Sequence, residues 1–276
     1  HCNFQLRGAE SDEDEVLVEE EAAKYGVPFY NKRFETAAEM ERTGESMEMA
    51  ARRLRYAWFD LLSREHGYTA VAIAHHADDS IETFFINLLR GTGLRGLTGI
   101  SAQIGKVVRP LMFASRKEIL EYAVQQRIPF REDSSNRSTK YLRNKIRLGL
   151  IPRIREINPK FTLLMRRNLA RLTDAQLFIN HGIERIREEA VESCDGIDTI
   201  RPERIDPAFP REFVIYELLS SAYGFKGDTV DALCRALEQN ATGKRFYARD
   251  RVATIDRGAI RVAPIAPDDD CLTTVR

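Results

Sequence analysis

The sequence predicts an α/β fold: a parallel-sheet domain over residues 1–158, a helical connector over 159–200 and a small α+β domain over 201–276. Two observations point there. Through the first half, amphipathic helical stretches alternate with short apolar runs, the pattern of a parallel sheet covered on both faces. In the last quarter, two helical stretches precede strands hinged on Asp256-Arg257-Gly258, as in an α+β unit. A chain of 276 residues is long enough for each domain to bury its own core.

Taken in order, Ser11 is placed to cap a helix over 12–25. Its first acids sit where the helix dipole favours them, and the acid run reads as a solvated face. Gly26 ends it, and residues 27–34, with Pro28 near the start, read as a strand. A helix over 46–65 carries one apolar stripe of Met47, Ala50, Ala51, Leu54, Trp58, Leu61 and Leu62. Arg52, Arg55, Tyr56 and Phe59 lie off that stripe, on a face that by itself reads as solvated.

Residues 71–74, Val-Ala-Ile-Ala, read as a buried strand. They run into His75, His76, Asp78 and Asp79 on a strand-to-helix turn, where open α/β sheets place their ligands. From Asp79 the spacing is helical, with Ile81, Phe84, Phe85 and Leu88 on one side and Asp79, Glu82, Thr83 and Arg90 opposite. Paired acids at a helix start also serve simply as a cap, and that reading stays open. A metal hydrolase would need further ligands, and the remaining histidines are only His1, His66 and His181. Gly91-x-Gly93-x-x-Gly96 spells the dinucleotide fingerprint but follows a helix instead of opening one, which excludes that reading. A glycine-dense loop that lets backbone approach a ligand remains.

Val107-Val108-Arg109-Pro110-Leu111 reads as a strand end, and Ser115-x-x-Glu118 as a capping box opening a helix to 126. If 141–147 is helical, Leu142 and Ile146 anchor it while Lys140, Arg143, Asn144 and Arg147 share the other face. A solvated basic helix and a phosphate-binding donor line both fit that face. From 137 to 171 there are eleven Lys or Arg and one acid, Glu156. Pro152 starts a short segment, and Asn158-Pro159 sets up a long helix over 160–192 that Cys194-Asp195-Gly196 breaks. Beyond it lie a helix over 211–223, a helix capped by Asp228, and strands over 245–248, 252–256 and 260–262.

Three strings in this chain belong together. They are His75-x-x-Asp78-Asp79-x-x-Glu82-Thr83 with Arg90-Gly91-x-Gly93-x-x-Gly96-Leu97-x-Gly99; Ala50-Ala51-Arg52-x-x-Arg55-Tyr56; and Glu132-Asp133-Ser134-Ser135-Asn136 with Tyr141-x-Arg143-Asn144-x-x-Arg147. They resemble the signatures of the tRNA(Ile)-lysidine synthetases, a family of PP-loop ATP pyrophosphatases. Arg109-Pro110-Leu111 and, more weakly, Thr242-Gly243-Lys244-Arg245 resemble further family segments. The resemblance implies a PP-loop (Rossmann-like) catalytic domain. It also implies an enzyme that uses ATP and Mg2+ to adenylate carbon 2 of the wobble cytidine of an isoleucine tRNA with a CAU anticodon. Free L-lysine then displaces AMP, giving lysidine.

The resemblance further implies catalytic roles for Asp78, Asp79, Glu82, Arg52 and Arg55, the two arginines facing the nucleotide. It implies nucleotide contacts from His75, Arg90, Gly91 and Gly93, a magnesium ion held partly by Asp79, and tRNA contacts from Lys140, Arg143, Asn144 and Arg147. His75 is expected to fix the turn by hydrogen bonding. A cytoplasmic enzyme is implied, and a homodimer is left open. Two rivals stay open: a thiolase-type PP-loop enzyme, against which a lone early Cys2 argues, and a non-catalytic tRNA-binding remnant. His1 to Gly8 resembles the segment after the family's second strand, and neither S-G-G-x-D-S nor G-x-x-x-x-G-K-[ST] occurs. The expectation is a chain lacking its first strand and part of the ATP site, inactive by itself.

Composition narrows little else. With 42 basic and 42 acidic residues, overall charge excludes no partner. Cys2, Cys194, Cys234 and Cys271 lack C-x-x-C spacing, which argues against a zinc ribbon or a disulfide framework and suits a reducing cytosol. No stretch approaches a membrane span.

Overall fold

The computed structural model describes residues 1–133 and 141–265. The chain divides into two compact units. The first comprises His1–Gly91 and Gly96–Leu169; the second comprises Thr92–Arg95 and the chain from Ala170 onward.

The first unit opens with β1 (Cys2–Asn3), α1 (Ala9–Tyr25), β2 (Lys32–Arg33), α2 (Thr36–Thr43) and α3 (Met47–Glu65). Next come β3 (Val71–Ala72), α4 (Ala77–Arg90) and α5 (Leu94–Leu97), the last of which begins in the second unit. Then follow β4 (Gln103–Ile104), β5 (Val107–Val108), α6 (Arg116–Gln125), α7 (Leu142–Lys145), α8 (Ile151–Ile157) and the start of α9 (Phe161–Ala190). β1 pairs parallel with β2, β3 pairs parallel with β5, and β4 closes antiparallel on β5. Parallel pairs joined through helices are the α/β pattern that the alternation predicts.

Several expectations need correction. The strand expected over 71–74 is the two-residue β3 at one end of the order β3-β5-β4, and Ala72 and Ala74 are exposed. Alanine offers too little apolar area for such a run to show whether it is buried. The strand expected over 27–34 shrinks to Lys32–Arg33, and α2 follows where no helix was expected. α1 starts earlier than expected, after Gly8 at φ +54°, so that Ser11 is a buried residue of its first turn and not its cap. The acid run on α1 is not uniformly solvated either. Glu15 is buried and accepts hydrogen bonds from Asn3 (2.8 Å), Asn31 and Arg33.

Other elements follow their residues closely. Ser46 caps α3 by accepting from the Met49 amide, and Ala50 and Trp58 bury its stripe, although Leu61 is exposed. Ser115 and Glu118 form the expected box at the start of α6. The apolar side of α4 seats Ile81, fully buried, against Ile146, Ile151, Met165 and Leu169, flanked by Phe84, Phe85, Ile86 and Phe161. Leu88, expected on this stripe, lies beyond that cluster and is 49% exposed.

α7 and α8 are joined by a π-helical turn over Ile146–Leu150, closed by the Ile151 amide on the Ile146 carbonyl. Pro152 explains it. Proline has no N–H to give the carbonyl four residues back, and its ring crowds that carbonyl, so the turn ahead of it widens. The wide turn keeps Ile146 and Ile151 in the core and carries Arg147.

The second unit adds β6 (Val191–Cys194), β7 (Ile197–Ile200), α10 (Arg211–Tyr223), α11 (Gly227–Glu238), β8 (Arg245–Tyr247), β9 (Arg251–Asp256) and β10 (Ala259–Pro264). Its antiparallel sheet runs β6-β7-β10-β9-β8. Arg257 and Gly258, both at positive φ, make the expected β9–β10 turn. Asp195 and Gly196 make a second such turn, so the expected helix break is in fact the β6–β7 hairpin. Asp228 sits inside the first turn of α11, with Lys226 at the cap position expected for it. Ile200, Leu219, Leu233, Ile255 and Ile260 are the fully buried centre of this unit. No helix among the described residues is long and apolar enough to cross a membrane.

Candidate active site

The start of α4 is held in place by the first unit's own backbone. The Ala77 amide donates to the Ala114 carbonyl at 2.9 Å, and Asp79 Oδ2 accepts from the His76 amide at 2.9 Å, closing the first turn. Ser80 Oγ accepts from the Ile100 amide at 2.9 Å. Gly99, at φ +78°, packs so closely that a Cβ there would lie 2.1 Å from Ser80 Oγ. That glycine is required by close approach and by its left-handed backbone.

Three acids then emerge from the first turns of the helix, each matched by a cation. Asp78 accepts from the Arg116 amide (2.7 Å) and from Arg155 Nη2 (2.9 Å). Glu82, only 1% exposed, takes a two-pronged guanidinium from Arg147, with Nε to Oε1 at 2.6 Å and Nη2 to Oε2 at 2.9 Å. Arg147 Nη2 also lies 3.5 Å from Asp79 Oδ1. Arg143 approaches Glu82 at 3.7 Å and donates to Thr83 Oγ1 at 3.3 Å. The hydrogen bonds to Glu82 hold the Arg147 guanidinium above its ordinary pKa, as expected for a forked, charge-assisted pair.

His75 sits behind the acids. Its Nδ1 accepts from Arg109 Nε at 3.1 Å, and Arg109, itself buried, donates to the Ser101 carbonyl at 2.8 Å. A guanidinium only donates, so Nδ1 carries no proton and the imidazole is neutral, protonated on Nε2. Burial pushes its pKa down; Asp79 opposes this, while the charges of Arg109, Arg143 and Arg52 add to it.

A cleft of about 580 Å³ opens beside these groups, lined by His76, Asp78, Glu82, Ser115, Arg116, Lys117, Leu120, Arg147, Leu148, Ile151, Arg155 and Thr162. The buried Nδ1 of His76 has no hydrogen-bond partner among the described residues and lies 3.5 Å from Asp79 Oδ2. Charged side chains and the apolar Leu120, Leu148 and Ile151 share its walls.

Of the residues expected from sequence, Asp78, Asp79, Glu82, Arg143 and Arg147 come together here. Arg143 and Arg147 reach the acids instead of forming an open donor line, and Asn144 is buried. Neither Arg52 nor Arg55 lines the cleft. Arg52 is exposed and lies over the Tyr56 ring, its charge still reaching His75; Arg55 lies over the Phe4 ring and interacts with Cys2. Arg90 is exposed at the end of α4, Gly91 has φ +71°, and Gly93 belongs to the second unit. Lys140 lies outside the described residues, as do Ser134, Ser135 and Asn136.

The donor set does not fit a resident magnesium ion. Among the described residues no three metal-ligating side chains converge, and the two oxygens of Asp79 face the His76 amide and Arg147. His76, Arg109, Arg116, Lys117 and Arg155 were not expected as site residues. The acid-poor tract held a signal for Arg155, but the acid that it meets lies 77 positions away. The exposed side chains of Lys145, Arg153, Lys160 and Arg167 have no ion pair or hydrogen bond among the described residues.

Two known domain families match separate parts of the chain. Residues 194–265 match the TilS substrate binding domain. A tRNA(Ile)-lysidine synthase of Parabacteroides distasonis is 41% identical over 93% of this chain and 58% of its own length. Another, of Bacteroides thetaiotaomicron, is 36% identical over 98% of this chain and 62% of its own length. The chain therefore spans about three fifths of these relatives. Among solved structures, the U34-tRNA thiolase NcsA from Methanococcus maripaludis, with its [4Fe-4S] cluster, aligns with a TM-score of 0.50 at 16% identity, covering 63% of this chain and 61% of that one. That likeness concerns the fold alone. Residues 1–154, more than half of the chain, match the PP-loop domain, and the chain belongs to that family.

Proposed function

We propose that the protein to which this chain belongs is a cytoplasmic tRNA(Ile)-lysidine synthase. It would use ATP to activate the wobble cytidine of an isoleucine tRNA with a CAU anticodon and join free L-lysine to carbon 2. The observation that carries this reading is the acid group at the start of α4, with Asp79 and Glu82 buried and Asp78 and Glu82 at the wall of a charged cleft in a PP-loop domain. Relatives named tRNA(Ile)-lysidine synthase support the choice of reaction.

The chemistry has two displacements. The cytidine O2 attacks the α-phosphorus of ATP and pyrophosphate leaves. The lysine amino group then attacks carbon 2, AMP leaves with the former O2, and the amine loses a proton. Lysine must be held as a cation and react as a neutral amine. A carboxylate group that already binds guanidinium forks is suited to the first task and, where an oxygen is freed, to accepting the proton. Phosphate charge needs fixed cations. Arg52, whose charge reaches His75, is better placed for this than Arg55 over Phe4. Magnesium would arrive on the nucleotide phosphates, and no step here is assigned to it.

The test is pyrophosphate release by the whole protein, with ATP, L-lysine and the CAU-anticodon tRNA each omitted in turn. The reading requires release only when ATP and the tRNA are both present, and product turnover only with lysine. Release that ignores the tRNA would sink it.

A further inference from the structure

The glycine-rich stretch after α4 carries a second, unexpected constraint. Thr92–Arg95 belong to the second unit, where they lie against α10. A Cβ on Gly93 would come 3.1 Å from Tyr216 Oη and 3.3 Å from its ring, so Tyr216 occupies the space that any side chain at 93 would need. The next residue of α10, Glu217, is 3% exposed on a helix that otherwise buries Val214, Ile215, Leu218 and Leu219. Its carboxylate lies 4.0 Å from Arg95 Nη2. Burying an ionised carboxylate among aliphatic side chains is tolerated when a cation answers it, and Arg95 is the cation provided.

We propose that Tyr216 and Glu217 are positioning residues for the glycine-rich stretch, Tyr216 fixing the backbone at Gly93 by filling its side-chain space and Glu217 anchoring Arg95. Gly93 is then glycine because of a neighbouring aromatic ring and not because a nucleotide approaches it. The hold lies within the second unit and can be measured without substrate, whether or not the ligase reading stands.

The experiment is hydrogen exchange on the ligand-free chain, read on the peptide covering 92–95, beside a thermal melt. Glu217→Gln should speed exchange there about tenfold, as for a local opening made easier. The melting temperature should hold or rise, because a buried charge becomes a neutral amide of the same shape. A carboxylate with a merely structural role would move the melt and spare the stretch. Gly93→Ala should also speed exchange, and Tyr216→Ala, or Tyr216→Leu if the alanine variant folds poorly, should remove most of that effect. Exchange within about twofold of wild type in Glu217→Gln, or a Gly93→Ala effect unchanged by the Tyr216 variants, overturns the proposal. Either result is independent of lysidine formation, so failure of the hold and failure of the ligase reading are told apart.

Discussion

Arg147→Ala is the perturbation whose size the structure sets most directly. The arginine forks onto Glu82 at 2.6 and 2.9 Å and touches Asp79 at 3.5 Å. Glu82 has almost no exposure, whereas the Arg147 side chain keeps 20% of its own. Removing one partner of a fully buried pair costs about 3–5 kcal/mol, mostly because the other charge is stranded. Arg143 remains 3.7 Å from Glu82 and the site is partly wet, so the lower range, about 2–3 kcal/mol, applies. For a unit of this size that is a fall of roughly 4–12 °C in melting temperature. The assay is a thermal melt of Arg147→Ala beside Arg147→Met/Glu82→Gln, which strands no charge and should recover to within about 1 kcal/mol of wild type. A shift under about 2 °C for the single variant, the size of a surface ion pair, would refute the buried-pair argument.

Three further outcomes follow. Asp79→Asn in the whole protein should lower lysine-dependent turnover at least about 10²-fold; near wild-type activity would return Asp79 to a cap. Alanine at Arg153, Lys160 or Arg167, whose side chains are exposed and unpaired among the described residues, should flatten the salt dependence of tRNA binding by roughly 0.7–0.9 in log-log slope for each phosphate no longer neutralised. Arg143→Ala should flatten it less, because that side chain is turned to Glu82; the opposite order would show the signature arginines released to RNA. His75, with its pKa depressed below 6.5, contributes stability that is complete above 6.5 and is lost as pH falls through the folded value. His75→Asn should remove that part of the acid slope in melts from about pH 7.5 to 5, and an unchanged slope would show that another group titrates.

Helices with a cap and a wide stripe were legible from sequence. The stripe of α3, the box of Ser115 and Glu118, and the ends of α10 were all expected where they occur. The strands over 245–248, 252–256 and 260–262 were legible too, but those of the first unit were not, because two-residue pairs such as Cys2–Asn3 on Lys32–Arg33 are too short to show alternation. Asp195-Gly196 follows a long helix and so reads as its break, although the same dipeptide signals a hairpin. At the site, sequence put Asp79 and Glu82 on one helix face but could not show that this face is buried. That depends on Arg147, 65 positions later, and on a π turn that Pro152 imposes. Lone cations in an acid-poor tract look available for phosphate until their distant partners are located.

Lysidine formation can be read at the nucleoside itself. Isoleucine tRNA with a CAU anticodon, incubated with the whole protein, ATP and isotopically labelled lysine, should be digested and its wobble position examined by mass spectrometry. The wobble cytidine should be heavier by lysine less one water and carry the label, a product absent without ATP and strongly reduced in Asp79→Asn. An unmodified wobble cytidine, or one modified without the label, would contradict it.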